Sequence, residues 1–337
     1  MSVLITGVGA VAEEPRPGGG GVPWFDPAAH LGRRGWKYLT PATRYLLAAG
    51  NEALGRRHDD PPLTGAGSER FGVVTGTQYA IARVHRRMDA TLAAEGVRGI
   101  SPAEVPGFSM NTPGSQLAIT TGARAFSVTL TNPVTAGLEA VQFAVAALRA
   151  GRADVVVAAA ADQAPEDHGG SGEYDAAAAV VLSTRGRAPG TAGAGRPLAA
   201  VTGTLSRFLA PGPAGDPDPA ALGASAAGIA ALARARDAVR PGTRDAVRLV
   251  VGAPPAATSL AIAVRDAVTE ALSRTGSTVR DAGTAVRRAR HCAASGLLEL
   301  VALARSGSSG PALLISVSES GHLTAIRIDD AVGPEFT

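Results

Sequence analysis

Residues 126–162 constrain the fold more than any other stretch. Phe126 to Leu130 is rich in strand-favouring side chains and reads as a β-strand. Asn132-Pro133 then has the form of an N-cap followed by a first-turn proline, predicting a helix from Val134 onward. Val134, Leu138, Val141, Val145 and Leu148 share one face of that helix, and alanines fill much of the rest, so the helix is expected to be buried. It stops at Gly151, and Ala153 to Ala158 is an almost wholly apolar run, the pattern of a central strand. A buried helix between two such strands needs further layers to cover them, which points to an α/β architecture.

The remaining sequence fits that expectation. Val3 to Thr6 predicts a strand ending at Gly7-Val8-Gly9, and the Gly- and Pro-rich residues 15–24 predict a loop. Thr40-Pro41 opens a helix to about Leu54, Phe71 to Thr75 is a strand, Ala80 to Glu95 is an amphipathic helix, and Ala176 to Leu182 is a strand. The order then recurs. Val247 to Val251 is a strand, Thr258 caps a helix to about Ser273, and Arg290 to Arg305 is a helix with Ala293, Leu297, Leu300, Val301 and Ala304 inward. Leu313 to Val317 and Leu323 to Ile328 are the closing strands. Residues 184–196 have the composition of a linker. The expected organisation is two duplicated mixed α/β halves, 1–185 and 186–337.

Composition narrows function. Net charge is +3, Lys37 is the only lysine, and basic residues never run beyond pairs such as Arg33-Arg34 or Arg287-Arg288. With aromatics at 4%, a phosphate-tracking groove with stacking platforms, and hence nucleic-acid binding, is not expected. The lone Cys292 excludes an internal disulfide or a thiolate metal cluster. No apolar run reaches the roughly 18 residues that span a bilayer, and no charged region precedes the N-terminal apolar residues, so the chain reads as cytoplasmic.

Several motifs carry little. Gly7-Val8-Gly9-Ala10-Val11-Ala12 superficially matches a dinucleotide fingerprint, but Glu13-Glu14-Pro15-Arg16-Pro17 puts acid and helix breakers where a phosphate-binding helix should start. Gly169-Gly170-Ser171-Gly172 follows no strand and opens no helix, unlike a nucleophile elbow. The histidines have no metal-ligand spacing, and Asp162, Glu166, Asp167 and His168 read as a solvated loop before a cation site. Neither a metal nor another cofactor is expected.

The stretch Thr131-Asn132-Pro133-Val134-Thr135-Ala136-Gly137-Leu138-Glu139-Ala140, followed by Gly151-Arg152-Ala153-Asp154-Val155, resembles the nucleophile turn, buried helix and following strand of β-ketoacyl synthases in the thiolase superfamily. Phe25 to Gly35, Gly72 to Thr77 and Gly321-His322 are similar to other family segments, so the resemblance runs nearly end to end. It implies a thiolase-like fold in a layered α-β-α-β-α arrangement. It also implies where the family's catalytic groups would fall. The cysteine position is Val134, the first histidine is Ala253 or a neighbour, and the second histidine is Arg290, with His291 one residue out of register. The accompanying lysine falls near Ala285, and the family's Gly-Phe-Gly-Gly gate reads Ser318-Glu319-Ser320-Gly321. A helix-terminal thiolate with two polarising histidines is the chemistry such a site needs.

The resemblance therefore implies a non-catalytic subunit of the chain-length-factor type. Its partners would be a ketosynthase alpha subunit, as a heterodimer, and an acyl carrier protein reached through the complex. Phe126, Val128 and Leu130 would lie on the dimerising strand, and Phe108, Met110, Asn111, Thr131, Pro133 and Val134 are candidates for lining or capping an acyl tunnel. Typical chain-length factors of aromatic systems carry glutamine at the cysteine position, so Val134 points to a diverged system such as one making polyenes. Two alternatives remain open: an acyltransferase or decarboxylase using a displaced His291, Cys292 or Ser295, and a stand-alone binding or scaffold protein.

Overall fold

A computed structural model describes residues 3–15, 23–165, 173–184, 197–210, 217–234, 246–280, 285–307 and 310–331. The expected linker 184–196, except Thr184, the Gly169–Gly172 motif, most of the loop at 15–24, and Glu166, Asp167 and His168 lie outside the described residues. The strands are β1 (Val3–Ala12), β2 (Phe71–Gly76), β3 (Phe126–Leu130), β4 (Val155–Asp162), β5 (Ala176–Ser183), β6 (Ala199–Phe208), β7 (Ala246–Ala253), β8 (Thr278–Arg280), β9 (Arg287–Arg288), β10 (Ala312–Val317) and β11 (His322–Asp330). The helices are α1 (Pro27–Leu31), α2 (Pro41–Leu54), α3 (Ala66–Glu69), α4 (Ala82–Glu95), α5 (Thr112–Thr121), α6 (Ala136–Arg149), α7 (Pro219–Arg234), α8 (Thr258–Arg274) and α9 (Ser295–Ser306).

The strand order is β3-β2-β4-β5-β1-β6-β11-β10-β7-β8, with β9 added beside β7. The order β3-β2-β4-β5-β1 recurs as β8-β7-β10-β11-β6, with matching parallel and antiparallel pairings. Among the described residues the strands of the two series pair with each other only where Val3, Leu4 and Ile5 of β1 meet Val201, Ala200 and Ala199 of β6.

Five layers follow from which strand faces are apolar. Val156, Ala158 and Ala160 of β4 face a central core with Leu138, Val141 and Val145 of α6 and Leu297, Leu300 and Val301 of α9. Val157, Ala159 and Ala161 face outward onto α2 and α5, through Leu46, Ala49 and Leu117. On the other side, Leu249, Val251, Leu313 and Ile315 face α7 and α8. Strands buried on both faces must be apolar throughout, which is why β4 and β5 read as continuous runs. This is the layered thiolase-like arrangement.

The structure departs from the sequence expectation in four places. β1 continues through Gly7-Val8-Gly9 to Ala12, because these glycines let the α2 backbone approach. A Cβ on Gly7 would lie 2.0 Å from the Ala53 carbonyl oxygen, and one on Gly9 2.1 Å from that of Ala49. The paired glycines serve helix packing, not a nucleotide. α6 begins at Ala136, not Val134, since Val134 takes a left-handed φ of +63° that no helix continues. Asn132 does not cap it: its side-chain amide donates to Glu139 Oε2 at 2.8 Å. α9 begins at Ser295, not Arg290, after a tight turn over Cys292–Ala294 in which Cys292 has φ +47°. Thr258 is the first residue of α8, and its hydroxyl donates to the Pro255 carbonyl.

Candidate functional site

β3 hands the chain to α6 through residues 131–135, and Val134 sits at the bend with 4% of its surface exposed. A β-branched residue in the left-handed region is strained by about 1–2 kcal/mol. The surroundings hold it there. A Cβ on Gly137 would lie 2.3 Å from the Ala293 carbonyl oxygen, so α6 presses directly on the turn before α9. The Val134 N–H donates to Gln78 Oε1 at 3.1 Å, and the Gln78 side chain also hydrogen-bonds Tyr79. Gln78, unremarked in the sequence, thus fills the hydrogen-bonding position at the bend.

Asp162 ties this region together. It is fully buried at the end of β4 and accepts from Thr77 Oγ1 (2.9 Å), Gln78 N (2.8 Å) and Tyr79 N (2.6 Å) on Oδ1, and from Ala293 N (2.9 Å) on Oδ2. Its carboxyl is pushed up to about 6 by burial, against the four donors that favour the charged form. With both oxygens occupied by the chain's own donors, Asp162 clamps the loop after β2 to the turn before α9 instead of lying in a solvated loop.

The other expected site residues scatter. Ala253 is buried at the end of β7, where its carbonyl accepts from Ala289 N at 2.8 Å. Arg290 borders a cavity between α9 and the strands of the C-terminal series, and its carbonyl accepts from Tyr174 N at 2.8 Å. His291 turns away, with Nε2 3.0 Å from the Glu13 carbonyl oxygen. Cys292 is 2% exposed, and burial, with Asp162 and Glu173 nearby, pushes its thiol well above the usual range, so it stays protonated. Ser295 Oγ accepts from the His291 N–H. Ser318-Glu319-Ser320-Gly321 forms the turn between β10 and β11. Val134, Ala253 and Arg290 offer no nucleophile and no neutral base.

The interface and tunnel candidates fall into separate groups. Phe126, Val128 and Leu130 pack on the central core, Phe126 edge-on to Phe143 with ring centres 5.9 Å apart. Among the described residues β3 pairs with β2 alone and ends the sheet. Met110 packs with Ala42, Ala80 and Ile81. Phe108 is 47% exposed beside the His85 ring, and Asn111 is exposed, accepting from Ser109 Oγ at 2.6 Å. Thr131 is exposed and Pro133 half-buried. Leu130 and Asn132 also border an open basin of about 520 Å³ with Glu139, Phe143, Phe208 and His322.

Comparison with known proteins places this geometry. Residues 23–194 match the family described as beta-ketoacyl synthase, N-terminal domain. Over 167 residues the chain is 29% identical to 3-oxoacyl-[acyl-carrier-protein] synthase 2 of Vibrio harveyi, an alignment covering 49% of this chain and 39% of that enzyme, so the chain matches well under half the length of that relative. Two solved structures share the fold. The ishigamide ketosynthase/chain length factor superposes with a TM-score of 0.69 at 20% identity, over 99% of this chain and all of the other. The ketosynthase structure AntDE:AntF, a type II polyketide synthase acyl-carrier protein in complex with its ketosynthase bound to the hexaketide, superposes with a TM-score of 0.74 at 18% identity, covering 98% and 99% of the two chains. The family match spans just over half of the sequence, and the chain belongs to the beta-ketoacyl synthase family.

Proposed function

We propose that the chain is a non-catalytic, chain-length-factor-type subunit that pairs with an active ketosynthase and helps shape its acyl tunnel during polyketide, and specifically polyene-type, elongation on an acyl carrier protein. One observation carries the reading: where the resemblance puts the nucleophile, the chain bends through a left-handed Val134 with Gln78 on its N–H. The bend presents no side-chain atom that could react. The open edge of β3 supports pairing, because an unpaired strand edge is a ready template for another chain's strand. Both structural relatives bear names of ketosynthase assemblies. The rival enzyme reading is weakened at Cys292, whose buried, protonated thiol is a poor nucleophile.

Co-expression with a candidate ketosynthase is expected to give a 1:1 heterodimer, the chain alone being poorly soluble and inactive in condensation. Incubation with a radiolabelled acyl thioester is the deciding measurement. Label on the partner alone supports the proposal, and stoichiometric label on this chain refutes it. Replacing Met110 or Thr131 by tryptophan is expected to shorten the products. Unchanged product length in both variants removes tunnel lining from the proposal.

A further inference from the structure

A second cavity lies away from β3, between α9 and the strands of the C-terminal series. It encloses about 330 Å³, within the range of small-molecule sites. Part of its wall is apolar: Leu138, Val250, Leu298 and Leu314 line it, together with the exposed Ala302. Ser295, Leu298, Glu299 and Ala302 recur at helical spacing, so α9 turns one face to the core through Leu297, Leu300 and Val301 and another to this space. Polar groups share the lining, Ser295 and Ser316 among them. Arg287, Arg288, Arg290 and His291 all border the cavity, opposed by Glu14 and Glu299. Arg287 is engaged by Glu299 in an ion pair, and Arg288 has a partner. The half-buried Arg290 guanidinium has no hydrogen bond or ion pair among the described residues.

A cavity with apolar side chains and an uncommitted guanidinium in its lining has the complementarity of an anionic amphiphile. We propose that this cavity binds a short acyl chain bearing one terminal anion, a carboxylate or a phosphate monoester, with the chain along Leu298 and Leu314 and the anion on Arg290. Guanidinium forks match both headgroups bidentately, whereas an alcohol gives Arg290 no charge to pair. The site stands independently of the proposed heterodimer, since neither β3 nor Val134 contributes to it.

The test uses the chain as purified, with its partner if it has one. A diazirine-bearing octanoate is photo-crosslinked, and adducts are mapped by mass spectrometry to the residues 285–316 of this chain. Octanoate and octyl phosphate should compete, and whichever competes better identifies the headgroup. Octanol should compete at least tenfold less well. Arg290→Gln should reduce labelling at least tenfold, and Ala302→Trp, at an exposed position in the cavity lining, should abolish it without loss of fold. Equal competition by octanol, or undiminished labelling in both variants, overturns the proposal. Loss of crosslinking with an intact heterodimer would refute this site alone. Failure of heterodimer formation with crosslinking retained would refute only the subunit reading.

Discussion

Replacing Val134 by alanine and by glycine tests the left-handed bend directly. Valine to alanine removes two buried γ-methyls, each worth about 0.8 kcal/mol, so Val134→Ala should destabilise by about 1.6 kcal/mol. Going on to glycine removes another buried carbon, about 0.8 kcal/mol, and frees the unfolded chain by about 0.4–1 kcal/mol. Against that, glycine escapes the left-handed penalty of about 1–2 kcal/mol at φ +63°. The two opposing effects nearly cancel, so Val134→Gly should lie within about 0.5 kcal/mol of Val134→Ala. Ala144, fully buried in the middle of α6, provides the control. There Ala144→Gly meets no relief and should cost about 1–2 kcal/mol. Cys292 supplies the assay, because it is the only cysteine and is buried. Pulsed alkylation across a denaturant series, read as the mass of this chain, reports its unfolding even beside a partner. If Val134→Gly falls below Val134→Ala by as much as Ala144→Gly falls below wild type, the bend is not left-handed and the argument fails.

Asp162 predicts a pH signature. Its folded value of about 6 lies above the ordinary 3.8, so its contribution to stability is full below 3.8 and lost as pH rises through 6. At 1.36 kcal/mol per pH unit the difference is of order 3 kcal/mol, and wild type should gain about that much on Asp162→Asn between pH 7 and pH 4. A difference independent of pH, or of opposite sign, would show that the four donors outweigh burial. Gln78→Ala should cost about 1–3 kcal/mol by stranding the Val134 N–H, measured by the same alkylation series. Gly137→Ala should prevent accumulation of folded protein, because its Cβ would meet the Ala293 carbonyl at 2.3 Å, whereas Gly223→Ala in α7, with open space around it, should stabilise by about 1 kcal/mol.

Much of the frame was legible from 126–162, because apolar runs and the buried face of α6 are set by burial, which sequence periodicity reports. The recurrence of strands and helices in the C-terminal half was visible in part for the same reason, through β7, β10 and β11, whereas β6, β8 and β9 were not. Elements with weak periodicity were not: α5 is rich in Thr, Ser and Gly, and α7 is largely alanine and glycine on every face. The bend itself was hidden by local rules that pointed the other way. Asn132-Pro133 resembles a helix start, and valine disfavours a positive φ, yet tertiary contacts at Gly137 and Gln78 impose it. Asp162 was misjudged because its neighbours in sequence are polar, while its hydrogen-bond donors come from residues 77–79 and 293.

Strain at an active-site turn is often interpreted as energy stored for reaction. Val134 separates the two ideas. The bend costs this molecule stability and carries a valine, so the expense goes with the architecture: past this turn, α6 lies so close to the Ala293 carbonyl that Gly137 has no room for a Cβ. Chemistry at such a corner is then a tenant, not the builder. The contorted corner stands here on packing and hydrogen bonds alone, so a side-chain exchange at position 134 can change its chemistry without a backbone rearrangement.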